Sequence, residues 1–254
     1  MSHFRAGLIL ASYVALSLPL MLIQQFLVWF WPERARVFPM VYTRQVLWLL
    51  GVRVQLKGHA IAKGPAILAP NHVSWLDVVI LSSVAPVSFI AKREVGAWPF
   101  FGAQARLIRT VFVDRERRQG TASTREEMVQ RLAAGDTLVL FAEGTSGDGA
   151  SVMPFKTALF AAAQEPNIVV QPISLVYKGH RNLPMTRRLR PHYAWYGGMD
   201  LGPHLWKAVA MGPIEIDVIC HKPISGSDIA NRKLLARQVE DTVRQGLVQS
   251  LHGR

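Results

Sequence analysis

Hydrophobic positions fall into two regimes along the chain. From 6 to 31 no side chain is charged, and no other run is both charge-free and of membrane length. It opens with Gly7-Leu8-Ile9-Leu10, closes with Phe26-Leu27-Val28-Trp29-Phe30-Trp31, and is followed by Pro32. A helix there reaches the roughly 20 apolar residues that a bilayer core requires. Pro19 invites a kink, and the closing tryptophans suit a membrane–water interface. A second apolar segment, 37–50, carries a lone charge, Arg44. Three arrangements fit this pattern: a spanning helix, a kinked helix in one leaflet continued by the second segment, or a helix in a soluble core. In the spanning case Arg34, Arg36 and Arg44 follow the run and only Arg5 precedes it, which puts the body on the cytoplasmic side. A cleaved signal peptide lacks its small-x-small site here.

After Gly51 the period shortens. Val52-Arg53-Val54-Gln55-Leu56 alternates as a half-buried strand does. Short apolar runs predict further strands over 66–69, 87–91, 110–113, 137–142, 168–176 and 214–220. Helical spacing predicts helices over 75–83, 124–134, 156–163 and 228–251, the last with Leu235, Val239, Val243, Leu247 and Leu251 along one side and Ser227 as cap. The alternation predicts an α/β fold, a mostly buried mixed sheet flanked by helices. The chain divides into an N-terminal membrane-associating helical segment, 1–50, and a body, 51–254.

Charge adds a partner. Lys and Arg outnumber Asp and Glu by 29 to 17 in 254 residues, a net +12. That surplus suits nucleic acid, anionic lipid or phosphate-bearing substrates. The single cysteine, Cys220, excludes an intrachain disulfide and a cysteine metal cluster.

The chemistry concentrates at Pro70-Asn71-His72-Val73-Ser74-Trp75-Leu76-Asp77, a predicted strand-to-helix turn. An imidazole is an effective base when a carboxylate orients its other nitrogen. Ser74-x-x-Asp77 also has the form of a capping box, so Asp77 can equally be a helix starter. Four later stretches stand out: Lys92-Arg93-Glu94 after a strand, Phe112-Val113-Asp114-Arg115 closing one, the glycine-rich turn Phe141-Ala142-Glu143-Gly144-Thr145-Ser146-Gly147-Asp148-Gly149, and Pro172 inside an apolar strand. Taken singly the last three read as a surface pair, a turn, and an edge strand or bulge. The turn lacks the Lys-Ser/Thr ending of a nucleotide-binding loop. In open α/β sheets, ligands bind beyond the carboxyl ends of the strands, where these stretches would meet.

In that order the motifs resemble the membrane glycerolipid acyltransferases typified by lysophosphatidate acyltransferase. Asn71, His72 and Asp77 match their Asn-His-x4-Asp. Residues 112–115 match the strand ending in arginine, and Phe141, Glu143, Gly144 and Thr145 match most of Phe-Pro-Glu-Gly-Thr-Arg. Pro172 matches the proline-bearing strand. Ala142 replaces the usual proline and Ser146 the frequent arginine. The form Phe-Ala-Glu-Gly-Thr-x-x-Asp-Gly looks like a bacterial subgroup that includes lyso-ornithine lipid acyltransferases.

The resemblance implies that 51–254 is a catalytic domain moving a fatty acyl group from acyl-CoA or acyl carrier protein to a lysolipid hydroxyl. The expected acceptor is 1-acyl-sn-glycerol-3-phosphate, with lyso-ornithine lipid as the alternative. It implies His72 as base and Asp77 as its orienting partner, with Asn71 among the substrate-binding residues. Arg115 would hold the acceptor's anionic group, Glu143, Gly144 and Thr145 would shape the acceptor site, and Lys92 and Lys156 would bind the anionic donor. No cofactor or metal is expected beyond the acyl-donor co-substrate. The expected location is the inner membrane with the catalytic domain on the cytoplasmic side, against an anionic surface. A serine hydrolase is the enzymatic rival, but Asp148 stands where a nucleophile elbow needs its last glycine. A non-catalytic anionic-membrane binder is the rival outside catalysis. A nucleic-acid binder would need aromatic stacking motifs that the chain lacks, so no nucleic-acid partner is expected. The basic and aromatic stretch 180–206 suits either an interface belt or part of the acceptor site.

Overall fold

The computed structural model describes residues 2–113 and 118–252, with side chains for 3–113 and 124–252. Two long helices open the chain. The first, α1 (Ser2–Phe30), stays helical through Pro19. The second, α2 (Pro32–Leu50), has its proline at the start, where a missing N–H breaks no helical bond. It ends at Gly51, whose φ of 73° is the left-handed cap that favours glycine.

One face of α1 is fastened to the body. Arg5 donates to Val209 O at 3.2 Å, Tyr13 Oη to Gln104 Oε1 at 2.9 Å, and Gln24 Nε2 to Leu107 O at 3.0 Å. The other face exposes Phe4, Leu8, Leu18, Leu22, Phe26 and Trp29. Of the arginines after the apolar run, Arg34 lies over the Trp31 ring, Arg36 pairs with Asp136 at 3.4 Å, and Arg44 donates to Ser83 O at 2.8 Å.

The body continues as β1 (Val52–Gly58), β2 (Ala66–Pro70), α3 (Leu76–Val84), β3 (Ser88–Lys92), α4 (Arg93–Gly96), α5 (Phe101–Leu107), β4 (Val111–Val113), α6 (Arg118–Ala133) and β5 (Thr137–Val139). A 3₁₀ helix (Thr157–Gln164) follows, then β6 (Val169–His180), β7 (Leu183–Pro184), α7 (Leu201–Met211), β8 (Ile214–Cys220), β9 (Ile224–Ser225) and α8 (Arg232–His252). The sheet order is β1-β8-β6-β2-β5-β3-β4. Strands β6, β2, β5, β3 and β4 are mutually parallel; β8 is antiparallel to β6 and parallel to β1.

Both faces of the sheet are covered, as a parallel sheet requires. Along β2, Ile67 and Ala69 face α6, the 3₁₀ helix and α8, packing with Leu132, Phe160, Val239 and Val243. Leu68 faces the other way, with Leu47 of α2, Ile80 and Leu81 of α3, and Ala208 of α7.

Several expected boundaries move. The segment 156–163 is a 3₁₀ helix rather than an α-helix, and strand pairing after 137 stops at Val139. The last helix starts at Arg232, where Asn231 Oδ1 accepts from Lys233 N and Leu234 N, so Asn231 and not Ser227 is the cap. Pro172 is neither at an edge nor in a bulge. It sits in β6 opposite Ala69, where the antiparallel partner of β6 changes from β9, paired at 169–170, to β8, paired from 173, so the missing N–H falls in a gap between ladders.

Candidate active site

The carboxyl ends of β2, β5, β3 and β4 share one edge of the sheet, and the Asn71–Asp77 loop, the Phe141–Gly149 loop and Lys92 lie there. Strand β2 ends at Pro70, and the Asn71 side chain continues its ladder. Asn71 Oδ1 accepts from Leu175 N at 2.7 Å and Nδ2 donates to Leu175 O at 3.1 Å. A buried amide thus stands in for a backbone pair between β2 and β6. Asn71 sets where the chain leaves the sheet.

The next residue is the candidate base. His72 Nδ1 donates to Asp77 Oδ2 at 2.8 Å. The same oxygen accepts Val73 N at 2.6 Å and Ser74 N at 2.9 Å. Asp77 therefore accepts the Ser74 N–H as the acid of a capping box does and orients the imidazole as well, while the reciprocal bond from Ser74 Oγ is not made. Its other oxygen, Oδ1, accepts Tyr177 Oη at 2.7 Å. Asp77 has no exposed surface, and both of its oxygens are held by hydrogen-bond donors. The carboxylate fixes the proton of His72 on Nδ1 and leaves Nε2 as the acceptor nitrogen. The ring stacks on Phe141 at 3.9 Å between centroids, and Phe141 in turn on Phe89. The His72 side chain keeps 17% of its surface open, which gives the base an approach.

Glu143 binds the two loops together. Its Oε1 accepts His72 N at 2.7 Å and its Oε2 accepts Met153 N at 3.0 Å. Burial pushes its carboxyl up to about 7, against the two N–H bonds that favour the charged form. Gly147 N closes the same junction by donating to His72 O at 2.8 Å. Gly144 has a φ of 75°, and a Cβ there would meet Lys156 Nζ at 2.5 Å, so glycine lets the Lys156 chain cross the loop. Thr145 and Lys92 are exposed at the rim. Ser146, in the position where arginine was expected, donates its hydroxyl to Trp195 O, which commits that proton away from nucleophilic use. Arg115 and its neighbour Asp114 lie outside the described residues.

One contributor was not singled out in the sequence, Tyr177; its only signal was a phenol in an apolar strand, which needs a polar partner once buried. The 180–206 segment, left open between an interface belt and part of the acceptor site, walls the site. Trp195 N donates to Val73 O at 2.9 Å, Arg190 to Gly149 O at 2.8 Å, and Trp75 Nε1 to His204 Nδ1 at 3.2 Å. The Trp195 ring meets Trp98 edge-on, and Trp206 donates to His3 on α1. The basic and aromatic stretch therefore links the apolar helix to the catalytic loops.

A family model described as Acyltransferase matches residues 51–176, the stretch from β1 into β6. A lyso-ornithine lipid O-acyltransferase of Brucella abortus (strain 2308) is 42% identical over 98% of this chain and 96% of its own. A 1-acyl-sn-glycerol-3-phosphate acyltransferase of Neisseria gonorrhoeae is 33% identical over 70% of this chain and 68% of its own. The crystal structure of the lysophosphatidate acyltransferase PlsC from Thermotoga maritima superposes with a TM-score of 0.71 over 98% of this chain and 97% of that one; at 20% identity it attests the fold. Identity of this depth over nearly the full length, with a family match that includes the His72 loop, establishes that the chain belongs to the acyltransferase family.

Proposed function

We propose that this acyltransferase esterifies the hydroxyl of a lysolipid at a membrane surface, with lyso-ornithine lipid as acceptor. The observation that carries the reaction is the His72–Asp77 pair, its Nδ1 donated inward at 2.8 Å and its other nitrogen left for substrate. His72 Nε2 takes the acceptor hydroxyl proton as that oxygen attacks the thioester carbonyl carbon. The tetrahedral intermediate expels the thiolate, which recovers the proton from the imidazolium. Direct transfer of this kind needs no enzyme nucleophile. The thioester is acyl-CoA or acyl carrier protein, with Lys92 and Lys156 at the rim suited to an anionic donor.

The acceptor reading rests on the high identity to a lyso-ornithine lipid enzyme and on the Glu143 loop. Where a phosphomonoester site would gain from a further cation, this loop carries Ser146, turned to Trp195, and the exposed carboxylate of Asp148. An ornithine headgroup brings an ammonium that suits Asp148; a phosphate dianion is repelled by it. Lysophosphatidate is the second reading, supported by the Neisseria relative.

The exposed apolar stripe of α1 supports membrane attachment. Its fastening at Arg5, Tyr13 and Gln24 supports the one-leaflet arrangement over the spanning one. Those anchors are about 28 Å apart at 1.5 Å per residue, close to a whole hydrocarbon core of about 30 Å. A helix tied to a polar body over that length would draw the body into the bilayer if it crossed.

The test is acyl transfer by purified protein in lipid, with lyso-ornithine lipid and lysophosphatidate side by side and both donors supplied. Transfer to lyso-ornithine lipid, absent in His72→Ala, is expected. Transfer to lysophosphatidate alone would move the acceptor to the second reading, and transfer to neither would overturn the proposal.

A further inference from the structure

Asp77 Oδ2 is held by three donors from its own loop, whereas Oδ1 has one, the Tyr177 phenol from β6. A carboxylate held at one oxygen can still swing about its Cβ–Cγ bond; held at both, its plane is fixed, and with it the direction of the imidazole. We infer that Tyr177 is a positioning residue for catalysis, acting through Asp77 to aim and tune the His72 base. Tyr177 is 1% exposed, so its phenol is closed off from anything entering the site. Burial and the adjacent Asp77 charge push the phenol well above its ordinary value, so it stays protonated and always donates.

The sign of its effect follows from charge. A phenol hydrogen bond draws negative charge from the carboxylate, which then stabilises an imidazolium less. Removing the phenol moves the acid limb of the pH–rate profile to higher pH; a stronger donor moves it to lower pH. Among the described residues, the other ionisable groups facing this site are Glu143 beyond β5, Lys156 over Gly144, Glu240 of α8 behind Phe155, Arg190 at Gly149, and His204 of α7 behind Trp75. All are untouched by a change at Tyr177 Oη, so the displacement reads this bond.

The inference rests on the His72 base reading, and His72→Ala is assayed alongside to separate the two. Tyr177→Phe keeps the ring in place. Expected are a fall in kcat of about tenfold or more, the scale of a hydrogen bond to a charged group, an unchanged KM, a thermal midpoint near the parent's, and an acid limb moved upward. Fluorotyrosine at 177, which keeps the bond and strengthens the donor, should move the limb downward and also serves if Tyr177→Phe does not fold. Opposite displacements by the two variants are a signature that loss of packing does not give. An active His72→Ala overturns the base reading itself. An inactive His72→Ala with both 177 variants matching the parent in kcat and pH profile overturns the role of Tyr177 alone, as does a lower midpoint with kcat per folded molecule unchanged.

Discussion

At the scale of single residues, the site depends on polar groups that are buried and fully engaged. His72→Ala removes the base but leaves the backbone bonds from His72 N to Glu143 and from Gly147 N to His72 O in place. It should cost about 10²–10⁴-fold in turnover with a nearly unchanged thermal midpoint; a folded variant of normal activity would sink the mechanism. Glu143 gives a second prediction. An unfolded chain loses this proton near 4.5, the folded one near about 7. Between those values the folded protein binds more protons, so its stability falls as pH rises through the window and levels above it. Glu143→Gln should flatten that slope in thermal unfolding between pH 5 and 8. Its amide offers one acceptor oxygen to the two N–H groups, so the variant should also lose about 1–3 kcal/mol overall. An undiminished slope would assign the pH dependence to another group.

At the scale of elements, the strands were the legible part. Residues 214–220 form β8 as the alternation predicts, and 66–69 fall within β2. The helices α5 and α7 went unread because their breakers mimic loops. In α7, Gly202 and Pro203 sit in the first turn, where proline is tolerated and the pattern still looks irregular. The dyad was legible because His72 and Asp77 lie five residues apart, within one turn. Tyr177, a hundred residues away, and the Trp195 wall were not, because strand order is set by packing that no local period records. The same holds for Asn71, whose motif membership pointed to substrate and whose side chain instead pairs with β6. Asn71→Ala would leave Leu175 N and O buried and unpaired. It should lower stability by about 2–4 kcal/mol, some 1–3 for each unmet group after partial relaxation, read from denaturant unfolding. A loss under about 0.5 kcal/mol, the range of an inconsequential surface change, would contradict the clamp.

At the scale of the molecule, α1 and the body act as one unit. In the one-leaflet arrangement an epitope tag at the N-terminus lies on the same side of sealed vesicles as the body, so added protease removes both together. A tag protected while the body is cleaved would favour a spanning helix. The same architecture bears on biogenesis. The His72 loop is completed only when β6 has docked beside β2, since Leu175 and Tyr177 bond to residues about a hundred positions earlier. Contacts of such separation close late, because the loop entropy of the intervening chain must first be overcome. A nascent or partly denatured molecule can therefore carry its apolar stripe and yet be unable to catalyse acyl transfer. Refolding followed by activity should lag behind refolding followed by helix content.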